Sequence, residues 1–501
     1  MSTPRLVTLN PTDDVAIVLE DADAGATAGN VCVLEPIASG HKIAVRPIAA
    51  GAAVRKYGQI IGFAKHDIAP GAHVHVHNVA MVETPRDAEI GANLRNAPAP
   101  RDATFDGYLR ADGRVGTRNF IGVLTSVNCS ATVARRVADH FTPERMSGYG
   151  QVDGVAAFTH MTGCGTPATG EGVDNLNRTL AGYARHPNFA GLVIVGLGCE
   201  VNQIPRLLDE YELTPGLMLQ AFTIQDAGGT LKAIERGQAI ARELTQEANR
   251  ARRETVSAEH LMVGLQCGGS DGWSGVTANP SLGAATDLVV ANGGTAILSE
   301  TPEIYGAEHL LLRRAASTET AEKLKARLEW WEDYVRRNGA DLNNNPSPGN
   351  IKGGLTTILE KSLGAVAKSG TTPLVEVYRY AEPIRAKGFV FMDSPGYDPC
   401  SVTGQIASGA NLIAFTTGRG SVFGSKPAPC LKLASNARMA AHMDDDMDID
   451  CSPVLSGVAI AEMGELIYAR MLAIASGART KSEELGVGDH EFVPWQVGAY
   501  M

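Results

Sequence analysis

The chain has 501 residues, 44% hydrophobic and 20% charged, with 55 glycines and 6% aromatics. That length exceeds one ordinary core, so roughly two to four domains of globular composition are expected. With 44 Lys and Arg against 55 Asp and Glu, the net charge of −11 lacks the basic footprint that nucleic acid requires.

The first residues, Met-Ser-Thr-Pro-Arg-Leu-Val, carry no signal-peptide core, and short apolar runs such as Leu192-Val-Ile-Val195 fall well below bilayer length. A cytoplasmic protein without membrane contact is expected. Its eight cysteines are dispersed at Cys32, Cys129, Cys164, Cys199, Cys267, Cys400, Cys430 and Cys451. In a reducing compartment such spacing favours buried thiols or metal ligands over disulfides.

Residues 1 to about 85 read as short strands: Asp14–Leu19, His41–Val45, Gln59–Phe63 and His73–Val79, punctuated by Ile48-Ala-Ala-Gly51 and Ile68-Ala-Pro-Gly71. This predicts a small β-rich module over 1–92. Residues 86 to 105, after Pro85 and with Pro98 and Pro100, read as linker-like, and the linker proper is set at 93–105. From 106 the texture becomes α/β. Strands Phe120–Thr125, Val155–Phe158 and Leu192–Gly196 alternate with helices over Ala131–Phe141 and Gly172–Ala184. A second α/β domain is therefore expected over 106–255. A third, over 256–501, opens with strand Leu261–Leu265 and helix Pro280–Asn292. A long polar helix then starts at Ser317 or Thr318 and stops at Gly339; strands Phe389–Met392 and Asn411–Phe415 follow.

Chemistry concentrates at a few places. In Gly71-Ala-His73-Val-His75-Val-His77-Asn78, an extended backbone would turn all three imidazoles to one face. Such a face suits a divalent metal or acid/base work better than a core. Four strands lead into loops bearing Cys129, Cys164, Cys199 and Cys267, and ligands of open α/β sheets lie outside the carboxyl ends of strands. The four thiols could meet in one cleft as a soft-metal or iron–sulfur site, or could simply be small residues at tight turns. Gly196-Leu-Gly-Cys-Glu-Val201 lacks the third glycine of a dinucleotide loop. In Gly418-Arg-Gly-Ser-Val-Phe-Gly-Ser-Lys426, Ser425 stands where a phosphate loop has glycine. Neither NAD nor ATP is expected. Arg419 and Lys426 remain as receptors for a carboxylate. Asp271, Asp393 and Lys352 are further charged residues in loops after strands or before a helix, and Asp444–Asp450 is an acidic run with cation binding as its lesser reading.

Taken together the chain resembles the altronate/galactarate dehydratase family. The resemblance rests on the histidine phrase, Gly107-Tyr-Leu-Arg-Ala-Asp-Gly-Arg-Val-Gly-Thr-Arg-Asn119, Gly196-Leu-Gly-Cys-Glu200, Gln266-Cys-Gly-Gly-Ser-Asp271, Gly349-Asn-Ile-Lys-Gly-Gly354, Ser394-Pro-Gly-Tyr-Asp-Pro399 and Thr416-Thr-Gly-Arg-Gly-Ser421. Length and Asn128-Cys-Ser-Ala-Thr132 lean toward the altronate branch. The resemblance implies an N-terminal SAF-like β module before two α/β domains, an iron requirement (Fe2+, with Mn2+ as substitute) and a 2-keto-3-deoxy sugar acid product. A related branch releases sulfite from sulfolactate.

Dehydrating a 2,3-dihydroxy acid removes the C2 proton and expels the C3 hydroxyl. The C2 proton is only weakly acidic, so the resulting dianion needs a cation on its oxygens, and the leaving hydroxide needs an acid. On that chemistry His75, His77, Lys352 and Asp271 are the candidate catalytic residues. Cys164, Cys199 and Cys267 are the candidate metal ligands, and His73, Arg419 and Lys426 the candidate substrate contacts. Two other readings stand beside it: a sugar-acid binding protein built as a homo-oligomeric scaffold, and an aconitase-like iron–sulfur hydratase.

Overall fold

The computed structural model describes residues 4–82 and 88–498. Pro85, at the edge of the expected linker, and Met1–Thr3 lie outside the described residues. The N-terminal module is built from short antiparallel strands. Leu6–Val7, Val15–Val18, Lys42–Ala44 and His73–Val74 form one sheet; Ala53–Lys56, Gln59–Ala64 and Val79–Ala80 form another. Val15–Val18 is buried throughout, because one of its faces packs inside the module and the other meets the third domain.

The second domain holds a four-stranded parallel sheet in the order Gly154–Phe158, Phe120–Thr125, Phe189–Gly196, Leu219–Thr223. Ile121, Val123, Val193 and Val195 pack on one face against Val133, Val137 and Leu244 of helices Ala131–Ala138 and Thr230–Ala248. Leu124, Leu192 and Ile194 pack on the other against Leu176 and Leu180 of helix Glu171–Arg185. Strand Thr104–Leu109 starts inside the stretch read as linker. It pairs antiparallel with Glu254–Ser257, so the two ends of the domain are tied together.

The third domain is a seven-stranded parallel sheet. Its order is Leu374–Tyr378, Gly388–Met392, Thr295–Leu298, Met262–Cys267, Leu412–Thr417, Cys430–Ala434, Ile449–Asp450. Its inner strands are apolar on both faces because helices cover both sides, as parallel sheets require. Met262–Cys267, first in sequence, sits centrally with later strands on either side. A crevice therefore opens beyond its carboxyl end. The long polar helix forms over Thr318–Arg337. Ser317 Oγ caps it by accepting from Thr320 N–H, and Gly339 at φ 64° ends it.

Two devices join the second and third domains. Arg118, buried within the Gly107–Asn119 phrase, donates to the Glu483 carboxylate and to the carbonyls of Ile474 and Ala478. In the C-terminal tail, Phe492 lies 4.7 Å from the Tyr183 ring and Trp495 stacks on Trp331 at 5.3 Å. That family-like phrase is thus structural at its arginine.

Candidate active site

The histidine phrase is not one strand. His73–Val74 pairs with Lys42 and Ile43, and the chain then turns, because Asn78 Oδ1 accepts from His75 N–H and Asn78 Nδ2 donates to the His73 carbonyl. The rings converge nonetheless. His73 lies 5.1 Å from His75 and 5.6 Å from His77. A fourth imidazole, His41, stands beside the strand Lys42–Ala44, with its Nδ1 3.0 Å from His73 Nε2. Alternation along a strand was the wrong reason for a correct convergence. His41 was missed because only strand pairing across 32 residues brings it there.

Burial and the neighbouring imidazoles push His73 down to about 3; burial and the nearby Lys42 charge push His75 to about 4. His41 is lowered, again chiefly by burial. At neutral pH these three rings are uncharged, which leaves their lone pairs free for hydrogen bonds or a cation and makes them reluctant to hold a proton of their own.

The imidazole face presses on the third domain. His75 Nε2 meets the Ile351 carbonyl at 3.0 Å and His41 Nε2 meets the Lys352 carbonyl at 3.2 Å. These carbonyls belong to helix Pro348–Lys352, started by a reciprocal cap between Ser347 and Asn350. Gly354, at φ 101°, follows; a Cβ there would stand 2.7 Å from the Gly40 carbonyl oxygen, so glycine permits the close docking. Beneath lies a fully buried ion triad. Lys42 and Lys56 of the module each reach a Glu360 oxygen at 2.9 Å, and Lys42 also donates to the Gly354 carbonyl at 2.5 Å. Burial resists charge on Glu360, but the two ammoniums outweigh it and hold its carboxyl far below the usual range.

Asp271 lies next to this loop but is committed elsewhere. Its Oδ1 accepts from Trp273 N–H, Ser274 N–H and the hydroxyls of Ser274 and Ser435, while Oδ2 accepts from Asn436. Both oxygens of Asp271 thus organise the turn after the central strand, and burial raises its carboxyl above the ordinary range. Arg419 is exposed, with no ion pair among the described residues. A Cβ on Gly353 would fall 3.3 Å from Arg419 Cδ and 3.0 Å from Asp271 Cβ, so Arg419 borders the same loop. Lys426 pairs with the exposed Asp489 at 2.6 Å. Lys352 is exposed at the end of its helix, on the loop that His41 contacts. Asp393 accepts from Thr301 Oγ1 and Trp331 Nε1, and Asp448 accepts from the backbone of Lys432 and Lys481; both serve structure.

The four thiols differ in domain and in burial. Cys267 is buried at the end of the central strand of the third domain; Cys129, Cys164 and Cys199 are exposed on loops of the second. Around Cys267 lies a cluster the sequence did not announce. Cys267, Glu300 and Glu303 bring ligand atoms within 4.8 Å of one another. Lys368 Nζ donates to Cys267 Sγ at 2.7 Å, Cys267 Sγ donates to Glu303 at 3.2 Å, and Lys361 Nζ donates to Glu303 at 2.6 Å. Burial pushes the Cys267 thiol up to about 12. Burial, reinforced by Glu303, raises Glu300 well above the carboxylate range. Both Glu300 oxygens are buried without a hydrogen-bond partner, and the residue holds a left-handed φ of 70°. A strained, unpartnered buried carboxyl beside a thiol and a second carboxylate fits a divalent cation of intermediate softness. The available signal was Ser299-Glu300-Thr-Pro-Glu303 directly after an apolar strand, and Glu360-Lys361 inside the otherwise apolar helix Ile358–Val366.

Comparison with known proteins follows the same three-part division. Residues 4–82 match the altronate/galactarate dehydratase SAF domain. Residues 107–249 match the second domain of D-galactarate dehydratase/altronate hydrolase, and residues 258–500 match the C-terminal domain of D-galactarate/altronate dehydratase. The chain belongs to the galactarate/altronate dehydratase family. It is 34% identical over 485 residues to the altronate dehydratase of Escherichia coli K12, covering 96% of this chain and 97% of that one. It is 36% identical over 501 residues to the galactarate dehydratase (L-threo-forming) of the same organism, covering 97% and 95%. It is also 34% identical over 394 residues to the (2R)-sulfolactate sulfo-lyase subunit beta of Chromohalobacter salexigens, covering 78% of this chain and 96% of that subunit. As a family member the chain is a hydro-lyase with an N-terminal SAF module and two α/β domains. Among the described residues, no helix is long and apolar enough to cross a membrane.

Proposed function

We propose that this protein dehydrates a hexonate or aldarate of the altronate/galactarate class to a 2-keto-3-deoxy acid, in the cleft between the SAF module and the third domain. The observation that carries the reading is the four-imidazole face set against the 351–354 loop beside Arg419, which has no ion pair among the described residues, at the carboxyl edge of the seven-stranded sheet.

In this reading Arg419 receives the substrate carboxylate as a bidentate partner. Neutral His75 and exposed His77 stand over the loop and exchange protons at C2 and at the departing C3 hydroxyl; His73 and His41 orient them and bind substrate hydroxyls. Lys352, on the facing loop, is the second proton carrier. Cys267, Glu300 and Glu303 are the residues that would hold Fe2+, or Mn2+ in its place, with Lys361 and Lys368 balancing their charge. Bound there, the ion supplies Lewis acidity toward negative charge developing on the substrate oxygens. The SAF module excludes water by docking through Lys42, Lys56 and Glu360.

Identities of 34% and 36% give altronate and galactarate equal standing as substrates, and the sulfo-lyase likeness adds sulfolactate to the panel. The test is anaerobic incubation of the purified protein with and without Fe2+ against hexonates, aldarates and sulfolactate, with product read as 2-keto-3-deoxy acid. Iron-stimulated product from one of these acids is expected. No product from any of them, or turnover unchanged after exhaustive chelation, would end the reading.

A further inference from the structure

The three exposed thiols of the second domain remain unused by that reaction. Cys129, Cys164 and Cys199 follow Phe120–Thr125, Gly154–Phe158 and Phe189–Gly196, three adjacent strands of the parallel sheet. Numbered within the sheet the strand order is 2-1-3-4, so the topology reverses at the first strand and a ligand crevice lies beyond its carboxyl end. Cys129 is on the loop from that strand, flanked by the loops of the other two.

These loops are stitched together. Asn128 N–H donates to the Thr162 carbonyl at 2.9 Å, and Asn128 Nδ2 to the His160 carbonyl at 3.0 Å. Asn202 donates from its N–H to the Gly163 carbonyl and from Nδ2 to the Ser126 carbonyl, both at 3.2 Å. A Cβ on Gly163 would fall 2.4 Å from the Ser126 carbonyl oxygen, so the first two loops are in backbone contact. Glu200 spends its carboxylate holding Ser126 Oγ and the N–H groups of Leu197 and Gly198. Both nitrogens of His160 are likewise bound, to Thr125 and Thr162. The potential oxygen and nitrogen ligands nearest the crevice are therefore engaged. The three thiols have no hydrogen bond among the described residues.

Glycines at positive φ border two of the thiols: Gly163 and Gly165 around Cys164, and Gly198 before Cys199. Such backbone reversals turn N–H groups toward an anionic ligand, as at many iron–sulfur sites. Thiol spacing bears on the ligand type. A single tetrahedral ion with metal–sulfur bonds of about 2.3 Å needs its sulfurs about 3.8 Å apart. Among the described residues, the group of three or more ligand atoms within 4.8 Å is Cys267, Glu300 and Glu303, so the three loop thiols are spread wider than that. A larger inorganic core satisfies a wider triangle of thiolates.

We infer that Cys129, Cys164 and Cys199 hold a cubane [4Fe–4S] cluster in the crevice of the second domain, with one iron left without a protein ligand. The site shares no residue with the Cys267 cluster and does not depend on the dehydratase assignment. The test is anaerobic reconstitution of the full chain with Fe2+ and sulfide, then removal of loose metal. Retention of about four sulfide per chain is expected, with about four iron beyond any ion held by the Cys267 cluster, and a broad visible absorption that bleaches in air. Replacing any one of the three with Ser should at least halve the chromophore, and the triple variant should abolish it, with an unchanged circular dichroism spectrum; Cys32→Ser should retain it. No sulfide retained by the parent protein, no chromophore in it, or a chromophore and bound sulfide that survive the triple variant would each overturn the inference. If a single variant misfolds, a reconstituted parent in which thiol alkylation spares these three cysteines, and labels all three after the cluster is stripped, supports it. Equal labelling before and after stripping overturns it.

Discussion

Replacing Glu360 with Gln tests how the SAF module is held. The carboxylate is fully buried and shared by Lys42 and Lys56, each at 2.9 Å, and Thr356 donates to it from both N–H and hydroxyl. Glutamine keeps the shape but strands two ammoniums in a dry interface. Removing one partner of a buried ion pair costs about 3–5 kcal/mol, a large share of the stability of one domain. Trp273 is a built-in reporter: it packs with Ile17 of the module, and a Cβ on Gly40 would fall 2.9 Å from its Nε1. The other three tryptophans, Trp330, Trp331 and Trp495, cluster together. Glu360→Gln should lower the urea midpoint of the Trp273 fluorescence transition by that free energy and speed tryptic cutting at exposed Arg95. A triple replacement, Lys42→Met with Lys56→Met and Glu360→Leu, should recover most of the loss, since an apolar substitute needs no charge balance.

The pH dependence follows from the same groups. The folded-state pKa of Glu360 lies below its unfolded value, so its contribution is complete above the ordinary carboxylate range and disappears only as pH falls toward the folded value. The Gln penalty should therefore be flat from about pH 6 to 7.5. Burial pushes Lys42 down to about 8, below an unfolded value near 10.4. Between those values the unfolded chain binds the extra proton, so parental stability should rise with pH there. A Gln penalty below about 1 kcal/mol, or one equal to that of the triple replacement, would refute the clamp.

Other outcomes follow from the site. His75→Ala and His77→Ala should each lower kcat by about 10²–10⁴-fold, the usual worth of a positioned proton carrier, with an unchanged circular dichroism spectrum; full turnover in both would remove their role. Arg419→Met should cost about 1.5–3 kcal/mol in kcat/KM, mainly through KM, and an unchanged KM would free Arg419 from substrate binding. Glu300→Met should raise the melting temperature of the metal-free protein by replacing buried unpartnered oxygens with an apolar group of similar volume, yet abolish Fe2+ retention in equilibrium dialysis; undiminished retention would exclude Glu300 as a ligand. Because His73 and His75 are pushed down to about 3 and 4, the unfolded chain binds more protons below about pH 6.5. Module docking should weaken from pH 6.5 to 4 by about 1–2 kcal/mol after allowance for the partial exposure of both rings, visible as a falling urea midpoint of Trp273.

Helices and strands of the α/β domains were legible because their periodicities and caps are local. Ser317 and Gly339 bracket the helix Thr318–Arg337 as read, and the apolar run at Met262–Cys267 is a strand. The histidines were legible as a group by their spacing, although the turn made by Asn78, rather than a straight strand, brings them together. The amino-acid order by itself determined the family, the three-part plan and the presence of imidazoles, thiols and glycine loops, since each depends on residues near one another along the chain. Tertiary structure alone decided which of these meet. It added His41 to the imidazole face, gave Asp271 and Lys426 their partners, and buried Cys267 while leaving the loop thiols exposed. It also set Glu300 beside Cys267. The physical reason is that strand order in a parallel sheet places carboxyl ends far apart in sequence side by side, and no local pattern encodes that order.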